Sequence, residues 1–599
     1  MIFHDKSLFL SSTHCVRNIN VSYMRLFRLL LGICLFSCVS LSAQDHEWEY
    51  EDIVSPDKGE WSRVKEISLG WGNIDTRYAR HIVPTLSQSL QLEGWKGERL
   101  AAQAVLLTPK ALSKVSFEVS DLKGSKGSIP SSAVKKYFVG YTMADAYVDK
   151  KGKYTHDHTK SSLFDSSLVA DRLAPLPFMA VKAGSVRPLW LDIRIPSDVA
   201  AGLYKGYLVV TADGKKLTLP LSVKVADRTL PPPSQWSFHL DLWQNPFAVA
   251  RYYDVPLWSK EHFDLMRPLM KLLADAGQKV ITASVIQHPW NSQTEDPFES
   301  MIGKMLRLDG TWQYDYTVFD RWVEFMIEMG IDQQIDCYTI LPWHLRFEYF
   351  DQAINATRVR HLQPGTAPYH DYLLPFLKDF AAHLKSKGWF ERTCIATDER
   401  PMEMLRAAWD VVKEADPAYR IEGAANYYPE VEPVMYDLSV TYQHGILPPD
   451  VLAKRKEQGK KLTFYTCCSP ERPNTFTFSP PAESELLGLH AVAAGYDGYL
   501  RWAYNSWVKA PNQDSRFRTW ASGDCFLVYP GGSSIRMERL VHGIQDFEKV
   551  MILRRQLKGK SLQHLENALQ PFVSNNLKPS QNAADMVNTF RHTVNLLSR

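Results

Sequence analysis

Two carboxylates stand side by side at Asp398-Glu399, in a setting that suits acid–base chemistry. The stretch Thr393-Cys394-Ile395-Ala396-Thr397 ahead of them is a short apolar run that reads as a buried strand. Pro401 forbids simple continuation, and a helical pattern follows over 402–414. In a parallel α/β architecture this spacing puts both acids at the carboxyl end of a strand, where such folds keep their reactive groups. One acid so placed can protonate a leaving group while the other stabilises developing positive charge. The competing reading is a pair of solvated surface charges, the ordinary fate of adjacent acids.

The elements that must position the pair form a regular series. Short apolar strands are expected at 237–242, 280–285, 335–340, 393–397, 420–425, 438–441, 462–466 and 498–502, with amphipathic helices between them, for instance 319–329, 372–387 and 484–494. Eight such alternations imply a (β/α)8 TIM-type barrel. An open doubly wound sheet is the alternative, but no Gly-rich phosphate turn follows the first strand. The segments after each strand then form a rim. It carries His239, Asp241, Trp243 and Gln244 at strand one and Trp343 after strand three. It carries Tyr442 after strand six, Tyr465 at strand seven, and Trp502, Tyr504 and Trp507 after strand eight. Aromatic rings mixed with neutral polar groups suit a sugar, whose flat apolar faces stack while its hydroxyls are hydrogen-bonded. These ten residues are the candidate substrate-binding set. Each also has a structural reading: the histidine as a core hydrogen-bonder, Asp241 as a cap, the tryptophans as rim packing.

Other chemistries find no residues. No lysine is placed for Schiff-base work, and no Gly-x-Ser-x-Gly elbow, His-Glu-x-x-His or P-loop occurs. No cofactor and no metal is expected. No basic block points to nucleic acid.

The 599 residues are 45% hydrophobic and 23% charged, an ordinary globular balance for two or more domains. Residues 24–43 read as a signal peptide: Arg25 and Arg28, an apolar run over 29–39, then Ser40-Leu41-Ser42-Ala43. Residues 1–23 read as a mis-called start. The apolar run is too short to span a bilayer comfortably, so the expectation is export to the periplasm, outer membrane or medium, without a transmembrane segment in the mature chain. Leu35-Phe36-Ser37-Cys38 resembles a lipid-attachment sequence, with Phe36 departing from the usual pattern. Without residues 1–43 the 69 basic and 66 acidic residues become 65 and 65, so charge names no partner. The remaining Cys337, Cys394, Cys467, Cys468 and Cys525 lack ligand spacing and read as buried small hydrophobes. Residues 44–228 alternate like strands, and Asp213-Gly214 is a hairpin turn, which together imply a β-sandwich. A stiff linker covers 229–235, the barrel 236–534, and a helical segment 535–599 packs outside it.

The chain resembles glycoside hydrolase family 123. The likeness is carried by Asp398-Glu399 and by His239-x-Asp241-x-Trp243-Gln244. It continues in Gly523-Asp524-Cys525-Phe526-Leu527-Val528-Tyr529-Pro530-Gly531, in Ser534-Ile535-Arg536-Met537-Glu538-Arg539-Leu540, and in Gly543-Ile544-Gln545-Asp546-Phe547-Glu548. The resemblance implies a secreted, exo-acting, retaining β-N-acetylgalactosaminidase with a β-sandwich before its barrel. Its carbohydrate partner would be a glycan or glycolipid ending in β-linked N-acetylgalactosamine. The sugar's own acetamido group would attack C1, giving an oxazoline-type intermediate. Asp398 would orient that group and stabilise its charge, and Glu399 would act as acid and then base. Tyr442, Tyr465 and Tyr504 are the candidate donors to the acetamido carbonyl. A β-N-acetylglucosaminidase and a non-catalytic glycan-binding protein remain the alternatives.

Overall fold

Period-two alternation builds the first part of the chain. In Gly202–Ala212, the residues Tyr204, Gly206, Leu208, Val210 and Ala212 turn inward between exposed or half-buried neighbours. The strand returns through Asp213 and Gly214, at φ 45 and 87, into Lys215–Thr229. Positive φ at both central residues is what a tight two-residue hairpin requires. The structure, a computed structural model, describes residues 49–599 other than 156, 292, 575, 576, 579 and 580. The expected signal segment at 24–43 and the Cys38 lipid site lie outside the described residues.

Two sheets make up the N-terminal region. One orders Ser68–Gly72, Arg99–Thr108, Ser185–Arg194, Val134–Asp149 and Phe164–Ala174. The other orders Leu90–Lys96, Lys215–Thr229, Gly202–Ala212, Leu112–Val119 and Met179–Val181. Their facing side chains, among them Ala104, Leu106 and Leu191 from the first and Phe117, Leu208 and Val223 from the second, share one core. The first sheet also takes a sixth strand from far along the chain: Ser533–Ser534 pairs with Leu173 and Arg172. Beside that strand, fully buried Asp171 meets Arg77 and Arg536, each at 2.8 Å, and accepts the Tyr529 hydroxyl at 2.7 Å. Burial opposes its ionisation, but the two arginines outweigh burial and hold its pKa below the ordinary value.

The second region is an eight-stranded parallel sheet that nearly closes into a barrel. Its strands, one to eight, are His239–Leu242, Val280–Ser284, Gln334–Tyr338, Thr393–Thr397, Arg420–Ala424, Asp437–Thr441, Lys461–Tyr465 and Gly498–Arg501. Each falls within two residues of its expected place. The ladder runs unbroken from strand two through three to eight and on to strand one. Strands one and two meet more loosely, through the bridge Leu240–Gln278 and the Lys279 amide donating to the Leu240 carbonyl at 3.0 Å. Side-chain amides take over along this seam. Gln278 accepts the Leu242 amide at 3.0 Å and donates to the Val280 carbonyl at 2.7 Å. Gln244 accepts the Thr282 amide at 2.9 Å. Backbone groups left short of ladder partners are thereby satisfied inside the protein.

Two features depart from strict alternation. No helix separates strands five and six. Between strands two and four the chain adds a four-stranded sheet, Gly303–Leu306, Trp312–Asp315, Arg346–Asp351 and Ala356–His361.

The helices Ile535–Gln556, Gly559–Leu569 and Ala583–Leu597 end the chain. The first is buried almost throughout and crosses Pro481–Ala494 at Gly488 and Gly543. A Cβ added at Gly488 would lie 2.2 Å from the Gly543 carbonyl carbon, and one at Gly543 would lie 2.3 Å from the Glu485 carbonyl oxygen. In an open helix Gly→Ala gains about 0.5–1 kcal/mol. Here the sign reverses, because both obstacles are backbone. Gly488→Ala is expected to destabilise by about 1–3 kcal/mol, as overpacking does. Thermal unfolding checks it, and a raised Tm would refute the close crossing.

Candidate active site

Strand four is buried along its whole length and stops at the barrel mouth, delivering Asp398 half-buried and Glu399 exposed. Their side chains part. The Trp343 indole, beyond strand three, donates to Asp398 Oδ2 at 2.8 Å, and the Glu399 amide donates to Oδ1 at 2.8 Å. Glu399 instead reaches the last residue of strand seven, whose Tyr465 hydroxyl donates to its Oε1. Arg400 lies over the Trp343 ring, 5.0 Å from its centroid. Burial pushes the Asp398 carboxyl up to about 6, with the neighbouring Glu399 charge adding to it and the Trp343 and amide bonds opposing.

The pair opens onto a cavity of about 190 Å³. Trp243, Trp343, Trp502 and Trp520 give it flat walls, and Tyr465, Asp524 and the pair give it polar ones. Each ring is fixed from behind. Trp243 packs at a tilt against Trp290 and Tyr338, with centroids 5.1 and 4.3 Å away, and its indole donates to Asp241 Oδ2 at 3.3 Å. Trp502 donates to Asp524 Oδ1 at 3.0 Å, and that same oxygen meets the fully buried Arg501 at 2.7 Å. Trp520 donates to the Gln293 carbonyl at 3.0 Å.

Inside the barrel lies a layer of buried carboxyls. Burial, compounded by neighbouring carboxylate charge with Asp437 acting on all three, pushes Asp241, Asp336 and Glu422 well above their ordinary values. Asp437 is equally buried, but His239 at 2.8 Å and Gln334 at 2.8 Å outweigh burial and hold it below the ordinary value. Glu422 accepts the Tyr338 hydroxyl at 3.0 Å, so this layer carries the rings that floor the cavity.

Of the twelve residues expected at the site, Asp398, Glu399, Trp243, Trp343, Tyr465 and Trp502 line one cavity. The other six do not, and each has a physical reason. His239 begins strand one, at the end away from the mouth, and pairs with Asp437. Asp241 is buried in the barrel beneath Trp243. Gln244 stitches the seam between strands one and two. Tyr442 turns outward against Phe464 and His490. The Tyr504 hydroxyl donates to the Leu269 carbonyl at 3.0 Å, in the helix layer. Trp507 is buried with its indole on the Val528 carbonyl at 2.8 Å. Conversely, Trp520, Gln293 and the Cys467–Cys468 pair line the cavity and had not been picked out as site residues. The first two stand on loops without periodicity, and the cysteines read as packing. Among the described residues no group of histidine, cysteine and acidic side chains is placed to hold a metal ion.

Residues 243–553 match the family model described as glycoside hydrolase 123, catalytic domain, and residues 71–212 match that described as glycoside hydrolase 123 N-terminal domain. Among solved structures, a family 123 glycoside hydrolase from Clostridium perfringens, studied for glycolipid glycan hydrolysis, is 24% identical at a TM-score of 0.80, over 89% of this chain and 99% of that one. A GH10 xylanase with a bacterial Ig-like domain, from termite gut, is 11% identical at a TM-score of 0.30, over 60% and 90% of the two chains. Bacteroides uniformis beta-glucuronidase 3 is 8% identical at 0.29, over 81% and 52%. Likenesses as weak as these last two carry no argument. No curated protein matches the chain.

A raised Asp398 pKa has a consequence for stability. The folded state holds this proton more tightly than the unfolded chain, so ionisation between the ordinary 3.8 and about 6 costs the fold stability, on the order of 2–3 kcal/mol once complete. Asp398→Asn removes that term. The Tm of the variant relative to wild type is expected to rise with pH through this window and to level off above it. A difference that is flat with pH would contradict the shift.

Proposed function

The chain belongs to glycoside hydrolase family 123, and on that premise we propose that it is an exo-acting, retaining β-N-acetylgalactosaminidase working through the substrate's own acetamido group. Its substrate class is a glycan or glycolipid ending in β-linked N-acetylgalactosamine. The Clostridium perfringens relative, whose structural analysis concerns glycolipid glycan hydrolysis, is consistent with that class. We read its two regions as a β-sandwich over 44–228 and a (β/α)8 barrel over 236–534, and residues 24–43 as the leader that exports it.

The observation that carries the reading is the adjacent acid pair, splayed at the end of one strand between Trp343 and Tyr465. A retaining glycosidase whose protein supplies the nucleophile sets its carboxyls about 5–5.5 Å apart on either side of the anomeric carbon. Consecutive residues of one strand end serve a different division of labour. The acetamido oxygen attacks C1 and the glycosidic bond breaks. Glu399, exposed in the cavity, gives its proton to the departing oxygen and later takes one from the incoming water. Asp398, ionised, accepts the acetamido N–H and stabilises the positive charge that spreads over the oxazoline-type ring. Tyr442 and Tyr504 face away from the cavity, which leaves Tyr465 as the candidate donor to the acetamido carbonyl. The tryptophan walls supply stacking surface for the sugar.

Chromogenic β-N-acetylgalactosaminide, β-N-acetylglucosaminide and β-galactoside test this directly. Cleavage of the first is expected, and hydrolysis of the plain galactoside would overturn the acetamido mechanism. Glu399→Gln is expected to lower kcat by about 10²–10⁴-fold, the usual contribution of general acid–base catalysis, with the largest losses on poor leaving groups. Asp398 must be ionised to accept the N–H, so kcat/KM is expected to fall as pH drops through about 6, and Asp398→Asn removes that limb together with most of the activity. Both variants are expected to keep the wild-type circular dichroism spectrum.

A further inference from the structure

Strand seven, after placing Tyr465 on Glu399, runs directly into Cys467 and Cys468, and both thiols line the cavity that holds the acid pair. Their sulfurs stand 3.8 Å apart, and both residues are partly exposed. The other cysteines of the described chain, Cys337, Cys394 and Cys525, are buried in the core and shielded from reagents. The turn carrying the pair is tied down on both sides. The Cys467 amide donates to the Ser469 carbonyl at 3.0 Å, and the Cys467 carbonyl accepts Asn474 Nδ2 at 3.0 Å. The Cys468 carbonyl accepts the hydroxyl of Tyr154, which comes from the N-terminal region.

We propose that Cys467 and Cys468 form a redox-modification site, a vicinal dithiol in the wall of the catalytic cavity that closes to a disulfide by exchange with an organic disulfide and thereby lowers turnover. The step balances. One protein thiolate attacks a sulfur of the organic disulfide, forming a mixed disulfide and releasing one thiolate. The neighbouring protein thiolate then attacks the protein-side sulfur of that mixed disulfide, forming the Cys467–Cys468 bond and expelling the second thiolate. Two protons leave the protein thiols and are taken up by the two released thiolates. The protein pair is oxidised and the organic disulfide reduced. The two sulfurs are already neighbours, 3.8 Å apart.

Closure brings the sulfurs from 3.8 Å to about 2.05 Å and shuts a ring that includes the peptide between them. That peptide cannot stay in the present turn, whose two carbonyls hold Asn474 and Tyr154. Tyr465 lies two residues upstream, so the change reaches the hydroxyl that orients Glu399. Displacements of about 1 Å in a catalytic group cost up to 10²-fold in rate, so a loss of turnover of tenfold or more is expected.

The purified protein is incubated with oxidised glutathione or with dithiothreitol, then split for peptide mass spectrometry and for assay on a β-N-acetylgalactosaminide. The expected result is a 467–468 peptide lighter by two hydrogens, lowered kcat, and recovery of both on reduction. Cys467→Ser and Cys468→Ser are each compared with their own reduced state, and neither should form the intramolecular bond or recover activity through it. A peptide that keeps both thiols, or one that stops at a glutathione adduct, overturns the site. A closed disulfide with unchanged turnover overturns the coupling to catalysis. Only this activity arm rests on the proposed function. The peptide mass reports the disulfide even if the chain acts on another glycoside.

Discussion

Two ring donors, the Trp343 indole on Asp398 and the Tyr465 hydroxyl on Glu399, hold neighbouring carboxylates on different sides of the barrel mouth. Left to themselves, adjacent acids at a low-dielectric rim repel one another and turn to solvent. The donors come from the loop after strand three and from the end of strand seven, and strand four, which carries the pair, lies beside strand three and well removed from strand seven in the sheet. The separation of the acids is therefore set by the register of the parallel ladder. A sheet that failed to curve back on itself would leave Glu399 without its partner. That is why the seam between strands one and two matters, and why Gln244 and Gln278 are spent on it.

Beneath the mouth, the barrel interior holds acids where an ordinary core would hold aliphatic side chains. Among the described residues, Asp437 is the one of these acids with a histidine partner, and Asp241 Oδ1, Glu422 Oε1 and Ser439 Oγ find no hydrogen-bond partner. Such groups weaken a core unless they are protonated or fully bonded. Their value lies in direction: Asp241 faces the Trp243 indole and Glu422 holds the Tyr338 hydroxyl, so these two packed rings have fixed orientations. The upward shift of Asp398 belongs to the same trade, in which groups needed at the site are kept in surroundings that do not favour their charge.

The strands were legible because parallel strands buried on both faces are short and rich in apolar residues between helical patterns, even though Asp241, Asp336, Glu422 and Asp437 interrupt four of them. The acid pair was legible from its place after such a run and before a proline. Binding residues were less so. A residue just past a strand end turns inward or outward according to the loop that follows, and sequence does not report which. Trp502 turns in because Asp524 receives its indole, whereas Tyr504 and Trp507, a few residues on, turn toward Leu269 and Val528. Tyr442 falls in a short helical turn facing the His490 helix. Trp520 and Gln293 meet only through long-range folding, the one donating to the other's carbonyl across the mouth. The extra sheet over 303–361 was hidden for a different reason: Ala356–His361 is exposed throughout, so it carries no burial pattern to read.

The N-terminal region is part of this site's construction. Its long strand Val134–Asp149 brings Tyr147, whose hydroxyl donates to Ser479 Oγ at 2.6 Å, and Asp145, which accepts the Ser522 amide at 3.1 Å and meets His158 at 2.5 Å. His158 stacks on Phe164, and its amide donates to the Thr519 carbonyl at 3.2 Å. Thr519 and Ser522 flank Trp520, and Asp524 follows within the same loop. One wall of the cavity is thus a long irregular segment between strand eight and the Ile535–Gln556 helix, too long to hold a tryptophan in place unaided. The hairpin of the first sheet supplies the missing partners, and Tyr154 does the same for the Cys468 turn. A barrel cut away from its N-terminal sheets would keep the acid pair on strand four but lose the contacts that fix Trp520, Asp524 and, through Asp524, Trp502. The two regions therefore share one cavity, the barrel supplying its acids and the sheets holding the wall against which a sugar would stack.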